Sequence, residues 1–192
     1  MIEKLANLIV KDQIKIGNID SKDAEIYIYG YILLGEIIVN MVIAFAIGYM
    51  CEKVTEIIFF FIIYIPLRSL CGGWHASSIW KCTILSNIAL IALASNNNRF
   101  IQNISIELLS ILFAFMVIRI LHLSPMDTSQ KRLKDKEYNK IKKKIYLLVL
   151  IHVFIYLVFI FFRVSEYLFI IVYAYFMQFV LLCVEKHKRY SM

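Results

Sequence analysis

Very little in this chain can stop a helix. Its 192 residues hold two prolines and six glycines, the residues that most often punctuate secondary structure. Charge is scarce as well. Asp, Glu, Lys and Arg make up 18% of the residues, where soluble domains carry about a quarter. The four cysteines, Cys51, Cys71, Cys82 and Cys183, are too irregularly spaced for a disulfide framework. Cys51 and Cys183 stand at apolar edges and read as small hydrophobes. No cleavable signal sequence is expected, because Glu3, Lys4, Lys11 and Asp12 interrupt the first apolar stretch. No internal repeat of the kind that marks many transporters is visible.

What is abundant is apolar. Hydrophobic residues make up 61% of the chain, and the mean hydropathy is +0.73. The excess is gathered in blocks, and a bilayer-spanning helix needs about 20 such residues. Six spans are expected, over residues 26–50, 54–67, 81–95, 104–123, 145–162 and 167–184. The second is short, closes at Pro66 and has to borrow flanking residues. Residues 1–19 are amphipathic, with Ile2, Leu5, Ile9 and Ile16 on one helical face. That helix suits the membrane surface or a packed position on the rest of the protein. Asp20 or Ser21 can cap the helix that follows. The fold class is therefore all-α: a polytopic integral membrane protein of six transmembrane helices plus an N-terminal amphipathic interfacial helix. It forms one membrane-embedded domain over residues 1–192.

The formal net charge of +7 sits between the apolar blocks. No basic–aromatic patch or reader module points to nucleic acid. Membrane orientation accounts for the charge better. One alternating set of loops carries seventeen Lys and Arg residues and the other three, Lys53, Arg99 and Arg163. By the positive-inside rule both termini, the 67–80 loop and the basic 124–144 loop face the cytoplasm. The protein is expected in a bacterial plasma membrane, with residues 1–25 as a cytoplasmic amphipathic segment.

The stretch from Arg68 to Cys82 carries the chemistry. It holds a Gly72-Gly73 pair, then His75, then Cys82 seven residues on. A cysteine nucleophile needs a thiolate, and an imidazole can take the thiol proton. One straight helix cannot bring the two together. Seven residues at 1.5 Å each separate them by roughly 10.5 Å along the axis, and a hydrogen bond needs about 3 Å. Gly72 and Gly73 are therefore expected to form a turn, with His75 in a loop. The third spanning helix should begin near Ser77 or Ser78, either of which can cap it, placing Cys82 near its positive end. Spacing alone leaves three readings open: catalysis, a metal site of Cys71, His75 and Cys82 that lacks a fourth ligand, and a polar loop with a snorkelling Arg68.

The segment resembles the accessory gene regulator B (AgrB) family, membrane endopeptidases that process quorum-sensing precursor peptides. Arg68, Gly72, Gly73, His75 and Cys82 carry the specific part of the likeness. Six apolar segments, an amphipathic N-terminus, the Ser124-Pro125-Met126-Asp127 turn and the basic loop extend it along the chain. The resemblance implies a cysteine-type endopeptidase without cofactor or metal, with Cys82 as nucleophile and His75 as general base. It implies a precursor signalling peptide as substrate, whose acyl group on Cys82 passes to an internal thiol or hydroxyl to give a thiolactone or lactone. Cys71 precedes the histidine, does not match the family position and is expected to serve packing.

Supporting roles stay divided. Arg68 could pair with a substrate carboxylate, stabilise developing negative charge, or anchor its helix at the headgroups. Glu36 and Asn40, four apart on one helical face, are intramembrane polar residues. They could orient His75, bind substrate, or join helices. The eight Lys and Arg residues between 131 and 144 could orient the chain on anionic lipid or attract an acidic part of the precursor. A homodimer would suit so small a membrane peptidase, though no Gly-x-x-x-Gly motif argues an interface. The competing class is a small transporter or peptide export component without protease activity.

Overall fold

The computed structural model describes residues 2–74, 79–95, 104–126 and 135–190, without the side chains of residues 33, 79–82, 135–136 and 189–190. Every element among the described residues is helical. They are α1 (Ile2–Ile16), a 3-10 turn (Ser21–Asp23), α2 (Ala24–Met50), α3 (Val54–Cys71), α4 (Ile79–Ala94), α5 (Ile106–Leu123), α6 (Asp135–Phe161) and α7 (Ser165–Tyr190). The chain divides into two compact units, Met1–Ala46 and Ile47–Met192.

In the first unit α1 has a narrow packed stripe of Ala6 and Val10, while Leu5, Leu8 and Ile16 are exposed. Ile2 lies against Gly35 of α2, so close that a Cβ on Gly35 would meet its side chain at 2.7 Å. Both expected uses of the amphipathic helix thus have a surface: small residues for packing and large ones facing out. Asp20 caps the turn before α2, its carboxylate accepting from the Lys22 N–H at 3.3 Å.

The second unit is built around α7. Leu168, Ile171, Tyr175, Gln178, Leu182 and Glu185 recur at alternating three- and four-residue spacing and are all buried, which defines one continuous helical stripe. α7 packs most extensively on α5 and α3, and also on α6. Three- and four-residue spacings also run through the facing stripes: Ile57, Phe60, Ile63, Leu67 and Cys71 on α3; Leu109, Phe113, Met116 and Ile120 on α5; Ile145, Val149, His152 and Tyr156 on α6. Within this core Phe113 stacks on Tyr156 at 4.2 Å between ring centroids and meets Tyr175 edge-on at 4.9 Å. His152 Nδ1 and the Tyr175 hydroxyl are 3.1 Å apart. The outward faces are equally apolar, with Ile111, Leu147, Leu150 and Phe154 all exposed. That inversion suits lipid, in which helices associate by packing and a few polar contacts rather than by escape from water.

Among the described residues five helices are long and apolar enough to cross a membrane: α2 with its preceding turn, α3, α5, α6 and α7. The expected third span, α4, has 16 residues, about 24 Å at 1.5 Å per residue, against a hydrocarbon core of about 30 Å. Three expected boundaries move. α3 does not close at Pro66 but continues through it to Cys71; an apolar helix gains more by keeping its backbone paired than a single missing N–H costs. α6 starts at Asp135, so the second half of the expected basic loop is helical. Its Lys142 ammonium sits 5.7 Å from the Tyr138 ring centroid, one turn away. α7 runs beyond Val184 to Tyr190.

The buried and lipid-type faces should respond differently to truncation. Ile171 is wholly buried and Ile111 is 67% exposed. Ile171→Ala should cost about 2–5 kcal/mol and Ile111→Ala less than about 0.5 kcal/mol, measured by denaturant unfolding in detergent micelles. Equal losses at both positions would contradict this assignment of the core.

Candidate active site

The site is built where α3 ends. Gly72 closes the helix at φ +71° and ψ −148°, a region open essentially to glycine alone. Gly73 follows at φ +111°. These two torsions turn the chain out of α3 and across α7. The expectation of a Gly72-Gly73 turn is met, and the backbone also has a close-approach reason for it. A Cβ on Gly72 would lie 2.6 Å from the Met126 carbonyl oxygen, and one on Gly73 would lie 2.9 Å from Arg68 Nη1 and 3.3 Å from the Leu181 carbonyl oxygen.

The groups freed by the turn are paired from three directions. The Gly72 N–H donates to the Arg68 carbonyl at 3.2 Å, continuing α3 by one bond. The Arg68 guanidinium reaches forward from the last turn, Nη1 donating to the Gly72 carbonyl and Nη2 to the Trp74 carbonyl. Its planar fork suits two acceptors held at a fixed separation. From α7, Gln178 Nε2 donates to the same Gly72 carbonyl at 2.9 Å. The Leu181 carbonyl, one turn further along α7, accepts from the Trp74 N–H at 3.1 Å. From the segment after α5, the Met126 N–H donates to the Cys71 carbonyl at 3.0 Å, and Gly72 and Met126 form a one-residue parallel bridge. The Ser124-Pro125 peptide bond that leads into this contact is cis.

Of the residues singled out in the sequence, Arg68, Gly72 and Gly73 are brought together here. Arg68 acquires a role that none of its sequence readings contained, as an internal clamp on two carbonyls. Cys71 is wholly buried, as packing requires. Cys82 falls in the first turn of α4, which is described from Ile79; its side chain, together with His75 and the candidate caps Ser77 and Ser78, lies outside the described residues. Glu36 and Asn40 sit one turn apart on α2, both half-buried, within the first unit. Among the described residues no three His, Cys, Asp or Glu side chains gather as a metal site would need.

Sequence reasoning missed Gln178 and Leu181. Gln178 is the one amide in an otherwise apolar stretch over 167–184, and an intramembrane polar side chain is a functional candidate by default. That signal was available. Leu181 contributes only a carbonyl oxygen, which no sequence pattern marks.

The accessory gene regulator B (AgrB) family model matches residues 2–182, nearly the whole chain. No curated protein and no solved structure is significantly similar to it. The chain belongs to the AgrB family, and membership associates it with the processing of a precursor peptide in agr quorum sensing.

The turn gives a direct test of its own geometry. Gly72→Ala combines a glycine-only torsion with a clash, and should lower stability by about 1–3 kcal/mol in detergent unfolding. Gly17, at φ +80°, has nothing within 4 Å of an added Cβ, so Gly17→Ala should cost only about 1 kcal/mol. A Gly72→Ala variant as stable as wild type would mean that the turn is not held as described.

Proposed function

We propose that the chain is a membrane-embedded cysteine endopeptidase that cleaves a quorum-sensing precursor peptide and promotes cyclisation of the released part. The observation that carries this reading is the interruption between α3 and α4. α3 stops at Cys71, residues 72–74 are non-helical, and α4 is described from Ile79. We propose that this turn puts His75 in a connecting segment ahead of α4, since one straight helix through His75 and Cys82 would hold them too far apart. In this reading Cys82 lies near the start of α4, where the partial positive charge of unpaired backbone N–H groups favours a thiolate.

In the mechanism His75 takes the proton from the Cys82 thiol. The thiolate attacks a peptide carbonyl of the precursor, and the tetrahedral intermediate collapses to a thioester on Cys82. The imidazolium gives its proton to the leaving amine. A thiol within the acyl segment then attacks the thioester carbonyl, closing a thiolactone ring and returning the proton and the free thiol to the enzyme. A serine hydroxyl in the same place would give a lactone. Shielding from bulk water favours cyclisation over hydrolysis.

The orientation proposed for this chemistry is six spans with both termini in the cytoplasm. α4 crosses with the help of residues beyond its described ends. The basic excess on one set of loops supports that topology. The exposed lysines Lys140, Lys143 and Lys144 on the first turns of α6 would then face anionic headgroups and any acidic part of the precursor. Arg68, Gly72 and Gly73 act by holding the His75-bearing segment. Glu36 and Asn40 are proposed as supporting polar groups of the membrane interior.

Co-expression with the candidate precursor tests the reading. Wild type should convert the precursor to a shorter species, and Cys82→Ser or His75→Ala should reduce conversion at least 100-fold at equal membrane levels. If both variants process the peptide as wild type does, the chain is not this kind of enzyme and the export reading takes its place.

A further inference from the structure

Gln178 is wholly buried in the middle of the α7 stripe, in a helix apolar enough to cross a membrane. Burying an amide there is unfavourable unless its hydrogen bonds are made. One of them is: Nε2 donates to the Gly72 carbonyl. Oε1 has no partner among the described residues. A side chain kept for packing alone would be apolar at this position, like Ile171 and Leu182 on the same stripe.

The bond it does make is placed to matter. The Gly72 carbonyl takes both Arg68 and Gln178, so its two lone pairs are used, one from α3 and one from α7. The second tie to α7 is the Trp74 N–H on the Leu181 carbonyl, three residues along from Gln178. Together they hold residues 72 to 74 at both ends against a single turn of α7. His75 is the next residue in the chain, and consecutive Cα atoms are 3.8 Å apart. The last fixed point before the general base is therefore set by one turn of α7, with Gln178 as its only side-chain donor among the described residues.

We propose that Gln178 is a positioning residue of the peptidase: through its hydrogen bond to the Gly72 carbonyl it fixes the turn that delivers His75 to Cys82. This rests on the endopeptidase reading above. Gln178 acts through the turn and does not touch the peptide. Loss of the bond should leave substrate capture intact and blunt the activation of the Cys82 thiol.

Gln178→Met keeps the length and volume of the side chain and removes both hydrogen-bonding groups. In full-length protein purified in detergent, its kcat for precursor cleavage should fall at least 10-fold while KM changes less than about twofold. The pH profile of Cys82 alkylation by iodoacetamide, mapped by mass spectrometry, should move up toward that of an ordinary thiol near 8.5. Should this variant fail to fold, Gln178→Asn, whose amide is one methylene too short to reach Gly72, decides on the same readouts. Wild-type kcat together with a wild-type alkylation profile in a folded variant would overturn the proposal. So would a fall in kcat matched by an equal fall in the fraction of folded protein.

A separate readout keeps the two claims apart. In a Cys82→Ser background the wholly buried Cys71, which precedes the turn, should become open to alkylation when Gln178→Met releases it. If that happens in a protein whose wild type never cleaves the precursor, the endopeptidase reading fails and the clamp stands. If wild type cleaves and Gln178→Met cleaves equally well, the positioning role alone fails.

Discussion

A helix that breaks at the edge of an apolar bundle must find partners for every backbone group it frees. Water is scarce there, and an unpaired N–H or C=O costs several kcal/mol. The end of α3 meets this constraint with partners from three sources. Its own last turn supplies Arg68, α7 supplies Gln178 and the Leu181 carbonyl, and the segment after α5 supplies Met126. These bonds tie the turn to α7 and to the segment after α5. The break is thereby converted from a weak point into the place where α3, α5 and α7 are fastened together.

The packing below the turn follows from the same arrangement. α7 lies between α3 and α5 because its buried stripe can serve both, and that stripe sets Tyr175, Gln178 and Glu185 among apolar side chains. Tyr175 meets His152 of α6 one turn below Gln178. Two polar contacts of the interior, at Tyr175 and Gln178, thus lie one turn apart on α7. In lipid such contacts add specificity to packing that dispersion alone would leave free to slide.

The broad architecture was legible in the sequence because composition is a strong signal. Long apolar blocks specify helices when the solvent is lipid, and α2 and α5 fall within two residues of their expected limits. Boundaries set by competition were not legible. Pro66 signals a stop, yet the helix continues because an apolar environment penalises fraying more than it penalises one lost donor. The lysine-rich stretch before residue 145 looks like a loop by hydropathy, yet good helix formers such as Lys140, Lys142 and Lys143 extend α6. At the site, the glycine pair and the arginine could be read from type and spacing. Their partners could not, because Leu181 and Met126 contribute only backbone groups, and Gln178 had to be recognised as costly before it could be recognised as useful.

The proposed function depends on residues 75 and 82 coming within reach of each other. Cross-linking between them is the most direct measure. In a chain with Cys51, Cys71 and Cys183 replaced by alanine, His75→Cys would leave that thiol and Cys82 as a single pair. A disulfide requires Cα atoms within about 7 Å, whereas a continuous helix would hold them roughly 10.5 Å apart. Rapid, near-complete disulfide formation with a mild oxidant in the folded protein is the predicted result. Failure to cross-link in a folded, membrane-inserted chain would contradict the proposed partnership of His75 and Cys82.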